Sequence, residues 1–239
     1  MAELAVIIPA YNEEENIEKT LSLWSEVLEK LKIDYQIHIY NDGSKDSTRE
    51  RIESFCRQNK KIKLHNQENI GHGPTLIKGY KENIDSTWIF QADSDNEIPP
   101  QYFSKMWEKR NNFDFLIGKR TNRKSPLTRK IVSFISRILV WIFYSKRIYD
   151  VNSPFRLMKT EKFKPLFKIL PPQIFAPNLL VSGFAGYKRL SIFEFPVPYS
   201  KRNFGKESLN LKKLFFSSLR SFKETVSFRF RHLKFLKNE

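Results

Sequence analysis

The 239-residue chain has a single cysteine, Cys56. That excludes an intrachain disulfide framework and a thiolate zinc site. Its four histidines are scattered, with no HxxxH pair to suggest a histidine-bound metal. Acidic residues are in deficit, 26 against 42 basic ones, and the net charge of +16 points to anionic partners: nucleic acid, a phosphorylated substrate or an anionic membrane face. Long apolar runs are missing too. The greasiest stretch, IVSFISRILVWIFY at 131–144, carries Arg137 in its middle and falls short of the ~20 apolar residues that span a bilayer. The opening MAELAVIIPAYNEEE has no basic leader, so no signal peptide is expected. The expected location is the cytoplasm, at the inner face of the membrane. There is no internal repeat and no low-complexity linker.

What is present reads as an alternation. LAVIIPAY (4–11), YQIHIYNDGS (35–44), IKLHNQE (62–68), STWIFQADSD (86–95) and FDFLIGKR (113–120) have the apolar, turn-bounded character of buried strands. Between them lie helical patterns. One follows Asn12 as N-cap with acids in its first turn, one is capped near Asp46, one follows the NIGHG loop, and one begins at Pro99-Pro100. Such alternation predicts an α/β fold with a parallel sheet and right-handed crossovers. Beyond residue 120 the character changes, and no acidic residue occurs from Lys119 to Tyr149. Residues 125–150 read as a basic, aromatic-rich amphipathic helix or helix pair. VNSPFRLMKTEKF (151–163) and LSIFEFPVPYSKR (190–202) read as strands around a helix near 173–187. Residues 211–239 read as a basic amphipathic tail.

QADSDNEIPP (91–100) raises a chemical question. Asp93, Asp95 and Glu97 alternate behind an apolar strand. Alternate residues of a strand share a face, and carboxylates this close repel unless a cation meets them. Either a cation sits there or the segment is an exposed acidic turn.

VIIPAYNEEENI, NDGSKDST, NIGHGPTLIKG and ADSDNEIPP, in that order and spacing, resemble the family 2 glycosyltransferases, and within them the polyprenol-phosphate sugar synthases of the dolichol-phosphate mannosyltransferase type. IGKR, DVNSPFRLM and YSKRNFGKES extend the likeness to about residue 210. The resemblance implies a GT-A fold: a Rossmann-like, mostly parallel sheet flanked by helices. Residues 1–210 would form the transferase domain, with a nucleotide-sugar half to about 120, interfacial helices over 126–148 and an acceptor half over 150–210. It also implies roles. Pro9, Ala10, Tyr11 and Glu13 would hold base and ribose, Asp42 the base edge, and Gly71 a loop whose backbone approaches the ligand. Asp93 and Asp95 would bind Mg²⁺ or Mn²⁺ with Glu97 beside them. Arg120 would reach phosphate, Asp150 and Arg156 would flank the acceptor, and Arg202 would lie near the diphosphate or acceptor. The catalytic set is thus Asp95, Arg120, Asp150, Arg156 and Arg202. Asn41 stands where the family usually has Asp, Pro154 where Gly is common, and GKES (205–208) carries the family's GESK in changed order.

The implied reaction is metal-dependent, inverting transfer of a hexose from UDP- or GDP-sugar to a polyprenyl phosphate. Transfer to a hydroxyl of a lipid-linked glycan is the alternative enzyme reading, with Asp150 as the base it would need. A nucleotide-sugar-binding protein without activity is the non-enzyme reading. His72 reads as an exposed loop residue rather than a catalyst. The aromatic, basic helices suit an anionic membrane surface, or packing on the domain core or on a second copy in a homodimer. No basic reading helix or RNP-like strand supports nucleic acid.

Overall fold

The computed structural model describes residues 2–121, 127–144, 148–199 and 211–232. Its first strand, β1 (Leu4–Ala10), is apolar and buried at every position. Leu4, Val6 and Ile8 face one core, while Ala5 and Ile7 face the other. A strand covered on both sides needs no polar alternation, which is why it reads as a continuous apolar run. It lies inside a sheet formed with β2 (Tyr35–Asp42), β3 (Ile62–Gln67), β4 (Trp88–Gln91), β5 (Phe115–Thr121), β6 (Arg156–Lys159) and β7 (Ile192–Pro198), in the order β3-β2-β1-β4-β6-β5-β7. Only β6 runs against its neighbours, antiparallel to both β4 and β5. The sheet is therefore mostly parallel, as expected, with β6 inserted antiparallel between the fourth and fifth strands.

Helices cover both faces. α1 (Ile17–Lys30), α2 (Thr48–Gln58) and α4 (Phe103–Lys109) bury Leu21, Trp24, Ile52 and Phe103 on one side. α3 (His72–Glu82), α5 (Leu127–Tyr144), α6 (Thr160–Ile169), α7 (Pro177–Tyr187) and α8 (Leu211–Arg231) cover the other, burying Tyr80, Tyr144, Phe163, Phe184 and Phe228. β2 and β3 lie on one side of β1, and the chain then crosses by α3 to β4 on the other. The strand order turns at β1 and β4, and a crevice lies there at the carboxyl ends of the strands.

Several local expectations change. α1 begins at Ile17, and Asn12 is no cap but a left-handed turn residue with φ 53°. It joins two loops instead: its N–H donates to Ser44 Oγ (3.0 Å), and its Oδ1 accepts from Lys45 N (2.8 Å). Asp46 stands two residues before α2 and accepts the Thr48 N–H at 3.0 Å. Of residues 151–163, only Arg156–Lys159 pair as a strand. Residues 151–155 form a loop, and 160–163 enter α6, whose apolar residues Phe163, Leu166 and Phe167 follow helical spacing around an internal Pro165. The tail is not an appendage over its described part. Tyr144 O–H donates to the Thr225 carbonyl at 2.8 Å, Arg229 Nε to the Phe143 carbonyl at 2.9 Å, and Phe228 is buried in the core.

His38 on β2 is buried, with its Nδ1 3.0 Å from His65 Nε2. Burial pushes its pKa from 6.5 down to about 4, and the charges of His65 and Lys63 push the same way. The unfolded chain takes up this proton below pH 6.5 and the folded chain does not until about 4. Stability is therefore complete above the unfolded value and falls as pH drops through that window, by up to about 3 kcal/mol. His38→Asn is expected to flatten the acid-side decline of Tm between pH 6.5 and 4. An unchanged slope would place the decline elsewhere.

Candidate active site

A cavity of about 440 Å³ opens at the switch point, lined by Pro9, Ala10, Tyr11, Glu13, Asp42, Asn69, Gly71, His72, Asp93, Ser94 and Asp95. The sequence reading had singled out eight of these for donor or metal binding. They come together because each follows the carboxyl end of a strand: the first four β1, Asp42 closing β2, Gly71 after β3, and Asp93 and Asp95 after β4. Asn69, His72 and Ser94 were missed as site residues. The position of their loops after β3 and β4 was the available signal.

Asp42 is on the wall, but its carboxylate organises the opposite loop. Oδ1 accepts from Ile70 N (2.9 Å) and Gln67 Nε2 (2.8 Å), and Oδ2 accepts from Gly71 N (2.9 Å). The Asp42-Gly43 turn brings that loop close. Gly43 has φ 70°, and a β-carbon there would sit 2.7 Å from the Asn69 nitrogen. Asn41 donates Nδ2 to Asn66 Oδ1 at 3.0 Å, a link between β2 and β3.

The acidic stretch is not strand. β4 ends at Gln91, and Asn96 turns the chain with φ 55°, so the alternation expected through Glu97 does not persist. Asp93 and Asp95 line the cavity. Glu97 borders a smaller hollow on the other side of the turn, shared with Asp93, Asp95, Pro154, Phe155 and Tyr199. Asp93 is the unusual group. Its Oδ1 is buried and accepts no hydrogen bond in the protein. Burial pushes its carboxyl up to about 6, Arg120 opposes this, Glu97 adds repulsion, Arg156 opposes it and Glu13 adds further repulsion. A carboxylate with one oxygen buried and idle is under-compensated. Among the described residues no three His, Cys, Asp or Glu side chains form a ready-made metal cluster.

Arg120, at the end of β5, is fixed by Asp150 in a fork. Its Nε donates to Oδ2 at 2.7 Å and its NH2 to Oδ1 at 2.8 Å, and its main-chain N–H reaches Oδ2 at 3.2 Å. Fork pairs of this kind fix orientation as well as charge. Both Asp150 oxygens are engaged. Arg156 is a correction. Expected beside the acceptor phosphate, it is fully buried, and its guanidinium donates to the carbonyls of Ser153 (Nε, 2.9 Å), Asn178 (NH1, 3.1 Å) and Val151 (NH2, 3.2 Å). Burial lowers its pKa to about 10. Its reach goes to main chain because β6 starts at Arg156, directly after the loop that it holds. Arg202, Lys206 and Ser208 lie outside the described residues.

Known proteins give the context. Residues 5–167 match the model of glycosyl transferase family 2. An uncharacterized protein of Methanocaldococcus jannaschii is 34% identical over 68% of this chain and 74% of its own. The undecaprenyl-phosphate 4-deoxy-4-formamido-L-arabinose transferase of Salmonella choleraesuis is 25% identical over 89% of this chain, which spans 64% of that enzyme. An uncharacterized glycosyltransferase of Synechocystis is 30% identical over 65% of this chain, which spans half of it, 50%. In fold, the chain superimposes on glucosyl-3-phosphoglycerate synthase of Mycobacterium tuberculosis, solved with Mn²⁺, UDP-glucose and phosphoglyceric acid. The TM-score is 0.69 at 16% identity, over 95% of this chain and 79% of that one. A mostly parallel GT-A sheet, a cavity at its switch point and a family model matched over residues 5–167 lead to one conclusion: this chain belongs to glycosyl transferase family 2.

Proposed function

We propose that the protein is a metal-dependent, inverting transferase that moves a hexosyl group from UDP- or GDP-sugar to a polyprenyl phosphate at the inner face of a membrane. The observation that carries the reading is Asp93, a half-buried carboxylate whose Oδ1 is buried and without a hydrogen bond, on the wall of the 440 Å³ cavity. Asp93 and Asp95 would hold Mg²⁺ or Mn²⁺, since hard carboxylate oxygens suit either ion. A divalent cation bound there would neutralise the charge that develops on a departing nucleoside diphosphate. The M. tuberculosis relative was solved with Mn²⁺ and UDP-glucose, which supports this class of donor and cofactor.

The walls divide the remaining work. Tyr11, 43% exposed, offers a ring for a base, and the Gly71 loop, held by Asp42, closes the donor side. Arg120 is held edge-on by Asp150 and exerts the largest opposing charge on Asp93. It is the cation best placed for a phosphate. A hydroxyl acceptor needs a positioned base, and the residue suggested for that, Asp150, has both oxygens engaged by Arg120. A phosphate monoester, with a second pKa of about 6, needs no base near neutral pH. The name of the Salmonella relative, an undecaprenyl-phosphate transferase, agrees with a phosphate acceptor. The direct test is transfer from labelled UDP- and GDP-sugars to a native lipid extract, with Mn²⁺ or EDTA. Label in a charged, chloroform-soluble product only with metal is the expected result, and full turnover in EDTA would end the metal reading.

The membrane part rests on α5. Its inner face packs Leu139, Val140 and Tyr144 against the protein, yet Ile131, Phe134, Ile135, Trp141 and Ile142 on the other side are exposed. A helix with apolar side chains on its outer as well as its inner face needs cover on both. Phe216, Leu219 and Phe230 of α8 are exposed too, interspersed with Arg220, Lys223 and Arg231. Among the described residues no helix is long and apolar enough to cross a membrane, so an interfacial position suits the pair. Because α8 contributes Phe228 to the core, deleting the tail would damage the fold. Outer-face changes are the clean test. Phe134→Ser with Ile135→Ser is expected to weaken sedimentation with phosphatidylglycerol vesicles by roughly tenfold or more, from lost apolar burial, at unchanged Tm. Unaltered vesicle binding would point to protein cover instead.

A further inference from the structure

We propose that Glu194, on β7, is a positioning residue that sets the Arg120–Asp150 fork by holding the main chain at 149–150. The inference rests on the reading of Arg120 as the phosphate-directed cation, and it goes beyond the site residues considered so far. Glu194 does not line the cavity and lies opposite Ile117 in the β5–β7 pairing. Its Oε2 accepts the Tyr149 N–H at 2.8 Å, and the Asp150 N–H also stabilises its charged form, against the burial that disfavours that form. Lys119 of β5 completes the cluster: its ammonium acts on Glu194 and lies 4.2 Å from the Tyr149 ring centroid.

The loop 149–155 is thus held at two points. Glu194 holds its first peptides, and Arg156 holds the carbonyls of Val151 and Ser153. Between these anchors stands Asp150, whose carboxylate fixes Arg120. The Ser153 N–H donates to the Asp150 carbonyl at 3.0 Å, which closes the turn. Arg156 fixes one side of the turn from β6. Without Glu194 the Tyr149 N–H loses this acceptor on β7, and Asp150 can shift with the Tyr149 peptide. A fork needs its two bonds to be coplanar, so a small rotation there would tilt Arg120 away from its target. Misplacements of about 1 Å can cost on the order of 10²-fold in rate.

Two readouts test this. The first needs no substrate. In side-chain ¹⁵N spectra of the full chain, the Arg120 Nε–H, assigned by its loss in Arg120→Lys, is expected to exchange slowly with water. Asp150→Asn should abolish that protection, and Glu194→Ala should speed exchange at least about tenfold. Glu194→Gln keeps an acceptor oxygen and should restore most of the protection. The second readout is kinetic. Glu194→Ala is expected to lower kcat about tenfold or more with the donor KM within about twofold, because the base and ribose walls are untouched. In an Asp150→Asn background the same change should add little, since both act through one fork. Full Arg120 protection in Glu194→Ala, or additive losses in the double variant, would overturn the proposal. Protection that depends on Glu194 in a protein that transfers no sugar would instead count against the proposed reaction and leave the positioning role standing.

Discussion

Arg156→Ala is expected to cost about 3–5 kcal/mol, a loss of the size seen when a buried charge network is broken. The guanidinium serves the carbonyls of Val151, Ser153 and Asn178 in a place closed to water. Truncation removes all the donors at once. Each buried polar group left without a partner costs about 1–3 kcal/mol, and a truncated side chain of this size leaves a void as well. Domains are stable by about 5–15 kcal/mol in total, so the variant should accumulate poorly and melt roughly 10 °C lower or more. Arg156→Lys should recover only part, because one ammonium cannot reproduce a planar fork directed at three carbonyls. Thermal unfolding followed by circular dichroism measures this. A variant that melts like the parent but loses phosphate handling would return Arg156 to the acceptor role that the family resemblance implies.

Asp93→Asn should move stability and function in opposite directions. The carboxylate has its Oδ1 buried without a partner, and the disfavour of burial, with the like charges of Glu97 and Glu13, outweighs the help of Arg120 and Arg156. Replacing it by a neutral amide removes the charge that burial disfavours. In EDTA the variant is therefore expected to melt at or above the parent's temperature. With Mn²⁺ and UDP the order should reverse. The parent gains stability as ligand binds the native state, whereas Asp93→Asn gains little. Sugar transfer should fall by at least about 10²–10³, the loss typical when one preorganised electrostatic contact to developing charge is removed. Asp95, whose Oδ1 already accepts the Glu97 N–H at 3.1 Å, should show the functional loss without the stability gain. An Asp93→Asn protein that melts lower in EDTA, yet responds to Mn²⁺ as the parent does, would remove the metal from this site.

The sequence by itself determined the sheet's first five strands and the residues at their carboxyl ends. β1 is buried on both faces and so appears as an unbroken apolar run, β2 is buried at all but one position, and the loops that follow them stand out by their polar residues. The cavity lining was legible for the same reason. A parallel sheet delivers every strand end to one edge, and residues that directly follow apolar runs are brought together whatever the helices do. Three things waited for the tertiary structure. The order of the sheet was one, because the insertion of β6 between β4 and β5 depends on long-range pairing that no local pattern records. The helix over Thr160–Ile169 was another, since Pro165 interrupts its local pattern while burial of Phe163, Leu166 and Phe167 sustains it. The third was the division of labour among like residues. Arg120 and Arg156 look equally suited to a phosphate in the sequence. Arg120 lies at the end of a strand, is paired with the Asp150 carboxylate and stands near Asp93, whereas Arg156 begins a strand inside the core and must satisfy the carbonyls around it. A guanidinium's task is set by the acceptors within its reach, and those are supplied by residues distant in the chain.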